Sequence, residues 1–129
     1  MTARSRHLIF PIAALLLACT VSLPANALFG SKKRADEKAG AILFRSKGCS
    51  HCHGEGGIGG KKAPSLIGLR KDKVWTPAKI TNQILNGGQK MPPFSDSVTD
   101  QEAAQLVAYL RARHRPIPPP TPQAAAPAQ

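Results

Sequence analysis

The chain has 129 residues, 12 of them Pro and 11 Gly, with aromatics at 5%, which allows one small domain with extra segments and leaves no room for two cores. Three Cys form at most one internal disulfide, so a disulfide-dense scaffold is excluded and a bound group is the expected supplement to a thin apolar core. Eighteen Lys and Arg against seven Asp and Glu give a net charge of +11, which suits nucleic acid, anionic membrane or an acidic protein without choosing among them.

The N-terminus carries Arg4 and Arg6, an apolar run from Leu8 to Ala18, and Ala25-Asn26-Ala27. This is the layout of a secretory signal peptide over residues 1–27, with an apolar run shorter than the about 20 residues of a permanent span. A second reading starts from Leu16-Leu17-Ala18-Cys19, which resembles a bacterial lipobox. Residues 1–18 would then be the signal, and Cys19 would be lipidated as a membrane anchor. Both readings place the protein in the periplasm or otherwise outside the cytoplasm. Residues 28–35 read as a basic linker.

The folded domain is expected over residues 36–113. Asp36 to Lys47 reads as a helix, with Asp36 and Glu37 in its first turn, Arg45 and Lys47 in its last, and Gly48 just beyond. Its inner face carries Ala39, Gly40, Leu43 and Phe44. Thr76-Pro77 opens a second helix, with the apolar stripe Ile80, Ile84 and Leu85, and Asn86-Gly87-Gly88 closes it. Thr99-Asp100-Gln101-Glu102 is a capping box that starts a third helix running to about Arg113, burying Ala103, Leu106, Val107 and Leu110 with Tyr109 beside them. No segment alternates with period two, so the fold class is all-α: three main helices joined by long Gly/Pro-rich loops. Residues 114–129, with six Pro and four Ala, read as a flexible polyproline-type tail.

Chemistry is concentrated at Cys49-Ser50-His51-Cys52-His53, directly after the first helix. C-x-x-C-H is the attachment sequence of c-type haem. Two thiols three positions apart on one short turn can each add to a porphyrin vinyl group, and the imidazole of His53 then lies under the iron as proximal ligand. Other chemistries fit less well. A disulfide oxidoreductase places C-x-x-C after a strand in a βαβ unit, and no strand precedes Cys49. Structural zinc needs four protein ligands, more than Cys49, Cys52 and a few His supply. A plain Cys49–Cys52 disulfide closes too small a loop to stabilise much. His51 is read as an exposed spacer on the proximal side.

Residues 36–113 as a whole resemble a class I monohaem cytochrome c. Besides the attachment motif, the resemblance rests on Gly40 and Phe44 with Leu106-Val107-Ala108-Tyr109-Leu110, on Ala63-Pro64-Ser65-Leu66-Ile67-Gly68, and on Lys90-Met91-Pro92-Pro93-Phe94. It implies the cytochrome c fold packed around one covalently attached haem c, with the first and last helices crossing at Gly40. It further implies that the Pro64 carbonyl accepts a hydrogen bond from His53, and that the Met91 sulfur is the distal ligand. Alanine at 63 departs from the family's usual glycine. Met91 lies in a Gly/Pro loop, away from any apolar helix face where a Met is a gap-filler, and it is the only Met after residue 27. His114 is a weaker alternative.

The function this implies is single-electron transfer, one haem cycling between ferric and ferrous states under His53/Met91 ligation, with no catalytic residues. Alternatives are a haem-bearing subunit of a larger oxidoreductase or, further off, a peroxidase or gas sensor with a displaceable distal ligand. The expected partners are redox proteins such as a dehydrogenase, reductase or terminal oxidase, met through an acidic surface. The basic clusters Lys32-Lys33-Arg34, Lys61-Lys62, Arg70-Lys71 and Arg111 to Arg115 would provide the complementary charge. Nucleic acid is not an expected partner, since export and the lack of a recognition motif argue against it.

Overall fold

The computed structural model describes residues 25–118. The expected leader up to residue 24, Cys19 and the tail from residue 119 lie outside the described residues. Helix α1 spans Ala25–Ser46, α2 Cys49–His53, α3 Pro77–Asn86 and α4 Asp100–Leu110, with a 3₁₀ turn at Glu55–Gly57. Among the described residues there is no β-strand.

α1 corrects the expected start at Asp36. It begins at Ala25, so residues 28–35, read from sequence as a linker, are helical. The acidic pair Asp36 and Glu37 suggested a first turn, but Ala25, Ala27, Leu28, Lys32, Lys33, Arg34 and Ala35 are strong helix formers with no proline among them. Once nucleated, a helix propagates through such residues at little cost. Residues 29–35 are all exposed, and burial begins in earnest at Gly40.

The core is the crossing of α1 and α4. Ala41 and Phe44 from α1 meet Ala103, Leu106, Val107, Tyr109 and Leu110 from α4, with Ile80 and Ile84 of α3 and Val98 completing the cluster. Phe44 and Tyr109 pack with ring centroids 5.5 Å apart and planes tilted by 50°, a favourable aromatic geometry. Gly40 makes the crossing possible: a Cβ there would stand 2.0 Å from the Gln105 carbonyl oxygen and 2.7 Å from Tyr109 Cβ. The Thr99 hydroxyl accepts from the Glu102 N–H and the Glu102 carboxylate accepts from the Thr99 N–H, so both halves of the capping box are formed. Lys47 joins this cap from α1, with its Nζ 3.0 Å from Glu102 and also donating to the Ser97 carbonyl.

α4 stops at Leu110, short of the expected Arg113. Arg111 and Arg115 do not simply face solvent as the sequence suggests for single basic residues. Arg111 donates to the carbonyls of Leu69, Arg70 and Trp75. Arg115 donates to those of Gly56, Leu66 and Leu110. The segment between residues 54 and 76 has little regular structure, so its carbonyls need partners from elsewhere. The chain therefore keeps inward contacts through Arg115, five residues past the end of α4 and within the stretch read from sequence as tail.

Candidate functional site

The α1 helix turns at Lys47-Gly48 and restarts at once as α2, a five-residue helix that holds Cys49, Cys52 and His53 on consecutive turns. Cys49 is half-buried against the core cluster, and Cys52 is exposed. Both are free thiols in the structure. Burial pushes the Cys49 thiol up from its ordinary value, against the opposing effect of a backbone hydrogen bond. That is the reverse of the activated, low-pKa thiolate a redox dithiol requires, and among the described residues no strand precedes Cys49, so the disulfide-oxidoreductase alternative lacks its βαβ setting. Among the described residues no group of three or more His, Cys, Asp or Glu side chains is placed to hold a metal ion, so the zinc alternative has no ligand set.

At the end of α2, Nδ1 of His53 lies 2.9 Å from the carbonyl oxygen of Pro64. The loop that delivers Pro64 is closed by its backbone: the Gly59 N–H donates to the His53 carbonyl at 2.7 Å and the Leu66 N–H to the Gly57 carbonyl at 2.8 Å. His51 points outward as an exposed residue.

Met91 lies in the loop that follows α3. Gly87 ends α3 at φ 70, and a Cβ there would stand 2.4 Å from the Met91 carbonyl oxygen. Only glycine lets the backbone reverse so tightly. The Gly88 N–H then donates to Met91 O at 2.8 Å, and the Phe94 N–H folds back onto the carbonyls of Ile84 and Leu85. Met91 packs against the same buried cluster as Cys49. Its sulfur lies 4.0 Å from Nε2 of Gln83, a contact that sequence reasoning missed because nothing in the pattern of α3 distinguishes Gln83 from a solvated polar residue. His114 is exposed.

Around these groups the structure leaves apolar side chains incompletely covered. Leu66, Leu69, Trp75, Leu85, Met91 and Phe94 are only partly buried against the core, and Ile58, Ile67 and Val74 are 66%, 60% and 64% exposed. Small domains do not leave this much apolar surface uncovered without an apolar partner. Two thiols, an imidazole with one nitrogen already engaged, a thioether and an apolar shell fit a covalently attached haem in donor chemistry and in packing.

Residues 35–110 match the family model described as cytochrome c oxidase, cbb3-type, subunit III. The chain belongs to the class I c-type cytochromes. The cytochrome is 33% identical over 78 residues to cytochrome c6 of Gracilaria tenuistipitata var. liui, covering 59% of this chain and 71% of that one. It is 30% identical over 101 residues to cytochrome c6 of Thermosynechococcus vestitus, covering 77% of this chain and 85% of that one. It is also 34% identical over 84 residues to the cbb3-type cytochrome c oxidase subunit FixP of Sinorhizobium medicae, covering 56% of this chain but spanning only 28% of the FixP length. No solved structure matches the chain. The cofactor is haem c, attached covalently. Among the described residues no helix is long and apolar enough to cross a membrane.

Proposed function

We propose that this cytochrome is a single-electron carrier in which Cys49 and Cys52 form the thioethers, His53 is the proximal ligand and Met91 the distal one. The observation that carries the assignment is the 2.9 Å contact between His53 Nδ1 and the Pro64 carbonyl. A neutral imidazole that donates its Nδ1–H to a carbonyl has its lone pair on Nε2, and the loop fixes the direction in which that lone pair points. Haem supplies the ferric/ferrous couple when bound. The chain's own residues do the rest: Leu66, Leu69, Trp75, Leu85 and Phe94 would exclude water, while His53 and Met91 would hold the iron without adding charge. Such ligation favours the ferrous state and leaves no place for a substrate, so the reading is a carrier and not an enzyme. Exposed Lys61, Lys62, Arg70 and Lys71 supply a basic rim for an acidic redox partner. The compartment is periplasmic, with Cys19 as a lipid anchor if the signal ends at residue 18. Pro64 acts through His53, whose Nδ1 its carbonyl faces.

The test is the mature holoprotein itself. Haem should stay with the polypeptide through acidified organic extraction, the iron should titrate as one electron, and the ferric spectrum should show a sulfur-to-iron charge-transfer band. Freely extractable haem or a high-spin ferric spectrum would overturn the assignment. The family model's description as an oxidase subunit supports a second reading, a haem-bearing component of a larger oxidoreductase. Stable co-purification with other subunits from native membranes would favour that reading; isolation as a single chain would favour the carrier.

A further inference from the structure

The family match ends at Leu110, where α4 ends, but the chain's inward contacts continue for five residues. The guanidinium of Arg115 donates through Nη1 to the Gly56 carbonyl and through Nη2 to the carbonyls of Leu66 and Leu110, the last at 2.9 Å. It also lies 5.6 Å from the ring centroid of Tyr109, a residue only 1% exposed. Arg111 serves a different loop, taking Leu69, Arg70 and Trp75.

The two loop carbonyls that Arg115 takes are informative. Gly56 follows shortly after His53, and Leu66 follows shortly after Pro64, so one planar fork joins both ends of the loop that carries the imidazole and its acceptor. Within that neck the Leu66 N–H bonds Gly57 O at 2.8 Å, and the Ser65 hydroxyl reaches the same oxygen at 3.5 Å. Apart from the 3₁₀ turn at Glu55–Gly57 and the Gly59 N–H bond to the His53 carbonyl, no regular structure spans the neck among the described residues. A rigid guanidinium fork can hold several carbonyls in one geometry, whereas a lysine ammonium of the same charge is a point donor on a flexible stem.

We propose that Arg115 is a positioning residue for the axial imidazole, clamping the neck of the 53–66 loop so that the Pro64 carbonyl stays on His53 Nδ1. The proposal rests on His53 being the proximal ligand. It predicts coupling between a side chain beyond the family domain and the electronic state of the iron. A carbonyl-bonded imidazole is the stronger donor and favours ferric iron; loosening that bond favours ferrous iron and raises the potential.

Arg115→Lys separates positioning from charge, because the positive charge is kept and the fork is lost. In the ferrous holoprotein the His53 Nδ1 proton should exchange with water at least tenfold faster than in wild type, and the midpoint potential should rise. Two controls bound the effect. Thr99→Ala weakens α4 at its other end, and Arg111→Lys loosens the Leu69–Trp75 loop; both should leave the His53 proton exchange at the wild-type rate. The role is overturned if Arg115→Lys lowers thermal stability with exchange and potential unchanged, or if Thr99→Ala accelerates His53 exchange equally. A second measurement needs no variant. If the neck opens as one unit, the Leu66 amide and the His53 Nδ1 proton of wild type share one denaturant dependence of exchange, and divergent dependences overturn the clamp. Failure of the ligand assignment reads differently: wild type itself would lack a bound imidazole proton, and the positioning role would fall with it.

Discussion

Replacing Gly40 by alanine sets helix propensity against packing, and the structure decides the sign. In an isolated helix the change is favourable by about 1 kcal/mol, since glycine carries the larger backbone entropy cost. In this chain the new methyl would stand 2.0 Å from the Gln105 carbonyl oxygen, where ordinary contact begins at 3.4 Å. α1 and α4 must therefore separate by about 1.4 Å at their crossing, and the atoms in the way are α4 backbone and Tyr109 Cβ, which cannot swing aside. Overpacking a core costs about 1–3 kcal/mol even where side chains can adjust, so the net loss should reach the upper part of that range. For a domain of this size 1 kcal/mol moves Tm by about 4–8 °C, giving a drop on the order of 10–20 °C. Thermal melting of the ferric holoprotein, followed by haem absorbance and far-UV circular dichroism, measures it directly. Gly30→Ala is the matched control, because a Cβ at that helical position meets nothing within 4 Å; it should be neutral or stabilising by up to about 1 kcal/mol. A Gly40→Ala protein that melts at or above the wild-type temperature would refute the close crossing.

Four further outcomes are expected. Met91→Ala should abolish the sulfur-to-iron band, lower the potential and let the iron bind carbon monoxide or cyanide, as read by titration and optical spectroscopy; an unchanged spectrum would point to another ligand such as His114. Cys52→Ala should leave a single thioether or no stable holoprotein, seen by mass spectrometry and extraction, while a fully retained doubly linked haem would remove Cys52 from the attachment. Thr99→Ala should cost about 1 kcal/mol in chemical denaturation through loss of the helix cap, and no change would mean the cap is not used in solution. Glu102 is held below its ordinary 4.5 first by the Thr99 N–H and then by Lys47. Its stabilisation is full above that value and is lost as pH falls through the lower folded value, so Glu102→Gln should flatten the acid limb of a stability–pH curve, and parallel curves would contradict it.

What could be read from sequence was local chemistry. Thr99 and Glu102 announce their helix because the cap is formed within four residues, and Cys49, Cys52 and His53 announce haem because attachment needs a fixed short spacing. Ile80, Ile84, Leu106 and Leu110 follow helical periodicity and are buried as expected. The losses occur where the deciding partner is distant. Arg111 and Arg115 look like solvated charge, and the loop carbonyls they take lie 36 to 59 positions away, too far for local spacing to announce them. Gln83 is likewise unremarkable until the Gly87 reversal brings Met91 back over α3. The early start of α1 has the opposite cause: Asp36 and Glu37 have the form of an acidic first turn, yet the residues upstream have helix propensity enough to carry the helix back to Ala25.

That upstream stretch gives the molecule a rigid post. From Ala25 to Ala35 the helix rises about 16 Å at 1.5 Å per residue, solvated where its side chains are described and continuous with the turns that lock onto α4. A side chain at the start of this stretch, such as the exposed Phe29, is thus held at a set stand-off and in a set rotational phase relative to His53 and Met91. Shortening the post by two residues would turn the haem face by about 200° around the helix axis while moving it only about 3 Å, and lengthening it by seven would nearly restore the original facing at a greater height.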